Sequence, residues 1–98
     1  MKSKKKRWKV SKIANSARKN IVSLDDDFRE EVLKIIRCLE ESPFSHDIEK
    51  IKGKKYFYRL RIGDYRLYFK VSPDSNTIEI PLFDYRGRIK DKTIQRLK

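Results

Sequence analysis

Cysteine, histidine and long apolar runs are scarce in this chain, and acidic residues are outnumbered by basic ones; each shortage excludes something. The one cysteine, Cys38, has no partner for an intramolecular disulfide; its place on a helical pattern reads as a half-buried, inert thiol. The one histidine, His46, lies in a loop beside Asp47 and is too little for a zinc site or a histidine-based triad. It reads as a polar loop residue, and no metal or cofactor is implied. No apolar run approaches the length of a transmembrane helix. Met1 to Arg7 is basic like the start of a signal peptide, but no apolar stretch follows it, so the expected location is the cytoplasm. Acids number 14 against 26 Lys and Arg, a formal charge of +12. Self-repulsion of that size calls for an acidic partner. Nucleic acid fits first, because neutralised phosphates release condensed counterions. An anionic membrane surface is the competing reading, and the sequence contains no long helix with one basic and one apolar face to support it.

What is present fits one domain. Ninety-eight residues allow a single modest core, here a basic tail over 1–7 and a domain over 8–98. The like-charged run Lys2 to Arg7 reads as disordered, either a solubilising tail or a phosphate-tethering arm. Charge is segregated along the rest. Residues 1–22 hold nine cations and no acid, 23–49 nine acids and three cations, and 50–98 fourteen cations and five acids. Trp8 to Ile13 alternates as a half-buried strand, and 14–21 reads as a short helix with Ala14, Ala17 and Ile21 on one side. Ser23 and Asp26 have the spacing of a capping box, and Asp25 to Asp27 favour a helix N-terminus. The stripe Phe28, Val32, Ile35, Ile36 and Leu39 then runs up to Pro43, which ends the helix.

Two aromatic and β-branched runs, Tyr56 to Ile62 and Tyr65 to Val71, flank Gly63-Asp64. That pair predicts a two-residue hairpin turn. A third strand is expected over Thr77 to Phe83 with Ile78, Ile80 and Leu82 inward; Pro81 lacks an amide donor and demands an edge or a bulge. A short helix over 89–98 would use Ile89, Ile94 and Leu97. The expected fold is α+β: a sheet of about four strands, antiparallel-rich, in the order β-α-α-β-β-β, with helices on one face and a basic groove on the other.

A two-residue turn also fixes register. Leu60, Ile62, Leu67, Phe69 and Val71 should face the helices, while Phe57, Arg59, Arg61, Arg66, Tyr68 and Lys70 face away. Arg61 then lies opposite Arg66, and like charges in that position destabilise a sheet. The face has only Glu79 opposing it, and Lys52, Lys54 and Lys55 lead into it. Such a face is either a solvated surface with a screened arginine pair or an anion site, and arginine's planar fork suits phosphate. Phe57 and Tyr68 either stack on bases or cover the sheet. Beyond the third strand, Tyr85, Arg86, Arg88 and Lys90 add to the same concentration of charge.

The string Ile48-Glu49-Lys50-Ile51-Lys52-Gly53, then Tyr58-Arg59-Leu60-Arg61-Ile62-Gly63-Asp64-Tyr65-Arg66-Leu67, resembles the RelE/ParE toxin superfamily, and its RelE-like branch in particular. The resemblance spans roughly residues 8–92 and is strongest over 48–71. It implies a toxin of a type II toxin–antitoxin system that enters the ribosomal A site and cleaves mRNA. Its implied partners are the ribosome, mRNA and a cognate acidic antitoxin, with a monomeric toxin that forms a hetero-oligomer with that antitoxin. By position, Arg66 and Arg86 match arginines that hold the scissile phosphate, and Arg59 and Arg61 match basic residues that contact RNA. Lys52, Lys54 and Arg88 extend the RNA-binding set. The chain departs from the pattern at its end, where Lys90 stands in place of a tyrosine and Tyr85 in place of a histidine.

RNA cleavage without a metal implies attack of a 2′-hydroxyl on the adjacent phosphate. Arginine stays charged and can stabilise the phosphorane but cannot serve as base. Lysine serves as a base where neighbouring cations favour its neutral form, and Arg86 and Arg88 flank Lys90. Tyr85 is the other candidate for proton transfer. The catalytic set on this reading is Arg66, Arg86, Lys90 and Tyr85, with the ribosome supplying substrate geometry. Two alternatives remain: a ParE-type inhibitor of gyrase, and a non-catalytic RNA-binding member of the fold.

Overall fold

The computed structural model describes residues 7–44 and 48–98. The tail over 1–6 and the loop residues His46 and Asp47 lie outside the described residues. Among those described, the elements run β1 (Lys9–Ile13), α1 (Asn15–Val22), α2 (Asp26–Glu41), β2 (Ile48–Lys50), β3 (Phe57–Ile62), β4 (Tyr65–Ser72), β5 (Thr77–Tyr85), a 3-10 turn (Arg86–Arg88) and α3 (Asp91–Gln95). The strands form one sheet in the order β1-β5-β4-β3-β2, parallel at β1–β5 and antiparallel elsewhere. The fold is α+β as expected, with one strand more than the sequence suggested. That strand, β2, is three residues long and too short to show alternation.

Helices α1 and α2 lie on one sheet face, and α3 lies on the other. Ala17 and Ile21 of α1 and Val32, Ile36 and Leu39 of α2 are buried against Leu60, Ile62, Leu67, Phe69, Val71, Ile78, Ile80 and Phe83. The Asn20 side chain donates to the Phe83 carbonyl at 2.7 Å and ties α1 to β5. Glu40 closes the open side of β1: its carbonyl accepts from Trp8 N at 2.8 Å, and its carboxylate accepts from Val10 N at 2.9 Å. Two backbone donors that would template a further strand are thereby satisfied.

The cap of α2 differs from the Ser23–Asp26 capping box. Asp25 is the N-cap, accepting from Phe28 N at 3.0 Å, while the Ser23 hydroxyl turns back to donate to the Asn20 carbonyl at the end of α1. The reason is position: α2 begins at Asp26, so Asp25 is the flanking residue, while Ser23 is still the C-cap of α1. Asp25→Ala is therefore expected to cost about 1 kcal/mol in denaturant unfolding, and Ser23→Ala distinctly less.

The β3–β4 hairpin has the expected register, with Ile62 opposite Tyr65 and Arg61 opposite Arg66. Gly63 takes φ +59°, the left-handed region that a primed turn needs. Pro81 sits in a bulge of β5, an interior strand, and not at an edge. Tyr68 pairs with Leu82 and Lys70 with Glu79, so Phe69 faces two residues, Ile80 and Pro81. The extra residue reverses alternation beyond it. Phe83 takes the inward place in the core, and Leu82, expected inward, turns to the opposite face.

Candidate nucleic-acid interface

The opposite face of the sheet is divided in two. At one end, Phe57 and Tyr68 are buried, at 4% and 1% exposure. They form a second apolar cluster with Ile51, against which Leu82, Ile89, Ile94 and Leu97 pack. The C-terminal segment covers these two aromatics, which excludes them as exposed stacking platforms in this arrangement. Lys54, placed by sequence among the RNA-binding residues, serves that cover instead. Its ammonium donates to the Gln95 carbonyl at 2.9 Å and the Leu97 carbonyl at 2.6 Å, binding the C-terminal end of α3 where unpaired carbonyls concentrate negative charge. Lys54→Ala is expected to destabilise by about 1–2 kcal/mol. Its first sign would be faster amide exchange at Ile94 to Leu97, ahead of global unfolding.

The other end is cationic and open. Arg66 is half-buried and donates through Nη1 to the Gly63 carbonyl at 3.0 Å and the Tyr65 carbonyl at 2.9 Å. Its partner on β5 is Asp84, whose carboxylate accepts from Tyr85 N at 2.7 Å and lies 4.0 Å from Arg88 Nη1. Arg86 leaves the end of β5 with its amide donating to the Asp64 carbonyl at 2.8 Å and its Nε 3.6 Å from the Asp64 carboxylate. Both guanidinium groups thus lie against the same Gly63–Asp64 turn. The Arg66 guanidinium has carbonyl partners and no carboxylate among the described residues, and the Arg86 ion pair is long and 60% exposed.

Arg59, Arg61 and Glu49 form a group on the same face, and Glu49 has no place in the sequence reading, which had only Glu79 opposing the basic residues. Glu49 lies opposite Arg59 across the β2–β3 pair. Arg59 Nε donates to its Oε1 at 2.9 Å and Arg59 Nη2 makes a short contact to the same oxygen, while Arg61 Nη2 reaches Oε2 at 3.3 Å. The hydrogen bond from Arg59, helped by the nearby charges of Arg59, Arg61 and Arg66, holds the Glu49 carboxyl below the usual carboxylate range despite some desolvation. The same hydrogen bond raises the Arg59 pKa further, against its partial burial, with Tyr68 contributing. Recognising β2 as a strand would have revealed Glu49, since pairing with β3 puts residue 49 beside residue 59.

The remaining candidates are spread out. Lys52, Arg88 and Lys90 are exposed, and the side chains of Lys52 and Lys90 have no partner among the described residues. The Lys90 carbonyl starts α3 by accepting from Thr93 N and Ile94 N. Tyr85 pairs with Tyr65, one position on from the Arg66–Asp84 pair, so alternation sends it to the helix side. There its ring meets Tyr65 edge-on at 5.8 Å, and Tyr65 stacks on Phe83 at 5.2 Å. The structure therefore does not bring Tyr85 onto the face that carries Arg66.

The family model for the ParE toxin of type II toxin–antitoxin systems, parDE, matches residues 10–89. No curated protein sequence gives a significant match. Among solved structures, the archaeal RelE–RelB complex from Pyrococcus horikoshii OT3 is similar at TM-score 0.71 and 30% identity, over 85% of this chain and 99% of that one. The RelB–RelE antitoxin–toxin complex from Methanococcus jannaschii follows at TM-score 0.66 and 28% identity, covering 82% and 95%. The isolated E. coli RelE toxin shares the fold, with TM-score 0.68 at 19% identity over 92% and 97%. By sequence and by structure the chain belongs to the RelE/ParE superfamily, the toxins of type II toxin–antitoxin systems.

Proposed function

We propose that this toxin is a ribosome-dependent mRNA endonuclease that works without a metal. The observation behind the reading is that Arg66 and Arg86 meet at one turn, where Arg66 has no carboxylate partner among the described residues and the Arg86–Asp64 ion pair is 3.6 Å long and solvent-exposed. Two guanidinium groups at one turn can take the non-bridging oxygens of one phosphate and stabilise the charge that builds when a 2′-hydroxyl attacks it. Arg61, directly across from Arg66, adds charge to the same end of the sheet. Lys90, exposed beyond the 3-10 turn and without a side-chain partner among the described residues, is the proton-transfer candidate, since Tyr85 is turned towards Tyr65. Among the described residues this face carries no histidine, and Asp64 and Asp84 lie against arginines, so catalysis depends on positioning, which the ribosome provides. The site acts in the cytoplasm on translated message, and an acidic antitoxin neutralises it. The archaeal RelE relatives, solved in complex with RelB, support a partner of that kind.

Primer extension on mRNA undergoing translation tests the reading. Cuts that need both toxin and ribosomes are expected. Translation arrest without cuts would leave a non-catalytic binder. The ParE description of the matching family model favours one other reading, inhibition of DNA gyrase. A supercoiling assay is expected to show no inhibition, and inhibition without RNA cuts would replace the nuclease.

A further inference from the structure

We propose that Glu49 is an internal stand-in for phosphate, occupying the Arg59–Arg61 subsite in the free toxin and lowering its affinity for RNA. This rests on the proposed RNA-binding role of the face. The Glu49 carboxylate sits where a phosphodiester would be gripped. One oxygen takes two nitrogens of Arg59, and the other takes Arg61. A carboxylate and a phosphodiester each carry one negative charge and offer paired oxygens to the same planar fork. The two cannot share these donors, so RNA must displace Glu49 and then tolerate a freed carboxylate beside its backbone.

Stability does not explain the arrangement. Arg59 is 29% exposed, but Arg61 is 60% and Glu49 46% exposed, and ion pairs of such exposed carboxylates contribute little to folding. Their effect on binding is larger, because the group competes at the site itself. Acids are concentrated in the α2 region, away from this face, yet this one lies among the basic residues. A glutamate carboxyl is ionised at physiological pH in any case, and the Arg59 hydrogen bond lowers its pKa further, so the competing charge is always present. Arg66 is untouched by Glu49 hydrogen bonding, so the competition falls on a flanking phosphate and leaves the scissile one gripped.

The experiment measures binding of a short, single-stranded, 2′-O-methylated RNA, which cannot be cut by 2′-hydroxyl attack, by fluorescence anisotropy over a salt series. Glu49→Gln is expected to tighten binding roughly fivefold at low salt and to steepen the salt dependence by about one phosphate contact. Glu31→Gln, which removes the same charge from an exposed position on α2, controls for net charge and is expected to change binding much less. If wild type binds and Glu49→Gln binds no tighter than Glu31→Gln, or binds more weakly, the role given to Glu49 is overturned while the RNA-binding reading stands. If neither wild type nor Glu49→Gln binds, both are overturned.

Discussion

Arg86→Ala is expected to lower ribosome-dependent cleavage by roughly two to three orders of magnitude, the usual loss when one donor to a developing oxyanion is removed. Stability should change little, because the Arg86 side chain is mostly exposed and its contact with Asp64 is 3.6 Å long. Arg66→Ala is expected to lose cleavage to a similar degree but also to destabilise by about 1 kcal/mol, since its bonds to the Gly63 and Tyr65 carbonyls help fix the turn. Single-turnover cleavage of ribosome-bound mRNA, paired with urea unfolding, separates the two effects. If the arginines grip one phosphate, the double variant will be far less impaired than the two losses multiplied, because groups acting as a unit are non-additive. Full activity in Arg86→Ala would remove it from the phosphate grip.

The parts of this fold legible in sequence were those set by local rules. Gly63-Asp64 dictated a two-residue turn, the turn dictated the register, and the register placed Leu60 and Phe69 inward with Arg61 against Arg66. The stripe of α2 followed from helical spacing alone. The misses came from non-local contacts. Leu82 broke the expected alternation because a bulge opposite Phe69 adds a residue, and the need of Pro81 for a bulge did not say which side chains would flip. Lys54 looked like one more cation in a basic loop. Only the folded chain shows α3 carbonyls within reach of its ammonium, 41 and 43 residues later. Glu49 is hidden in the sequence for the same reason, being ten residues from Arg59 along the chain and directly opposite it in the sheet.

The sheet face opposite α1 and α2 has two different tasks, and Arg59 sits at their boundary. On one side it reaches Tyr68, which belongs to the apolar cluster under α3. On the other it holds Glu49, which belongs to the cationic end. The C-terminal segment both closes the second core and carries Arg88 and Lys90 away from β5, so its packing governs where those cations stand. A change in the apolar cluster would therefore be felt at the basic end without any direct contact with RNA.

Tyr68 separates the two roles an aromatic on this face could have. At 1% exposure, packed with Phe57 and Ile51 and beneath the C-terminal segment, it behaves as core. Tyr68→Ala should cost about 3–5 kcal/mol, which for a domain of this size lowers the melting temperature by roughly 15 °C or more. Tyr68→Phe keeps the ring and removes only the hydroxyl that interacts with Arg59, so about 1 kcal/mol or less is expected. Cleavage by Tyr68→Ala, measured well below its melting temperature, should fall only as far as α3 is loosened, and Tyr68→Phe should cleave nearly as wild type. A residue that stacked on bases would behave in the opposite way, with near-normal melting of Tyr68→Ala and a large loss of RNA affinity. That result would mean α3 lifts from the sheet when RNA binds.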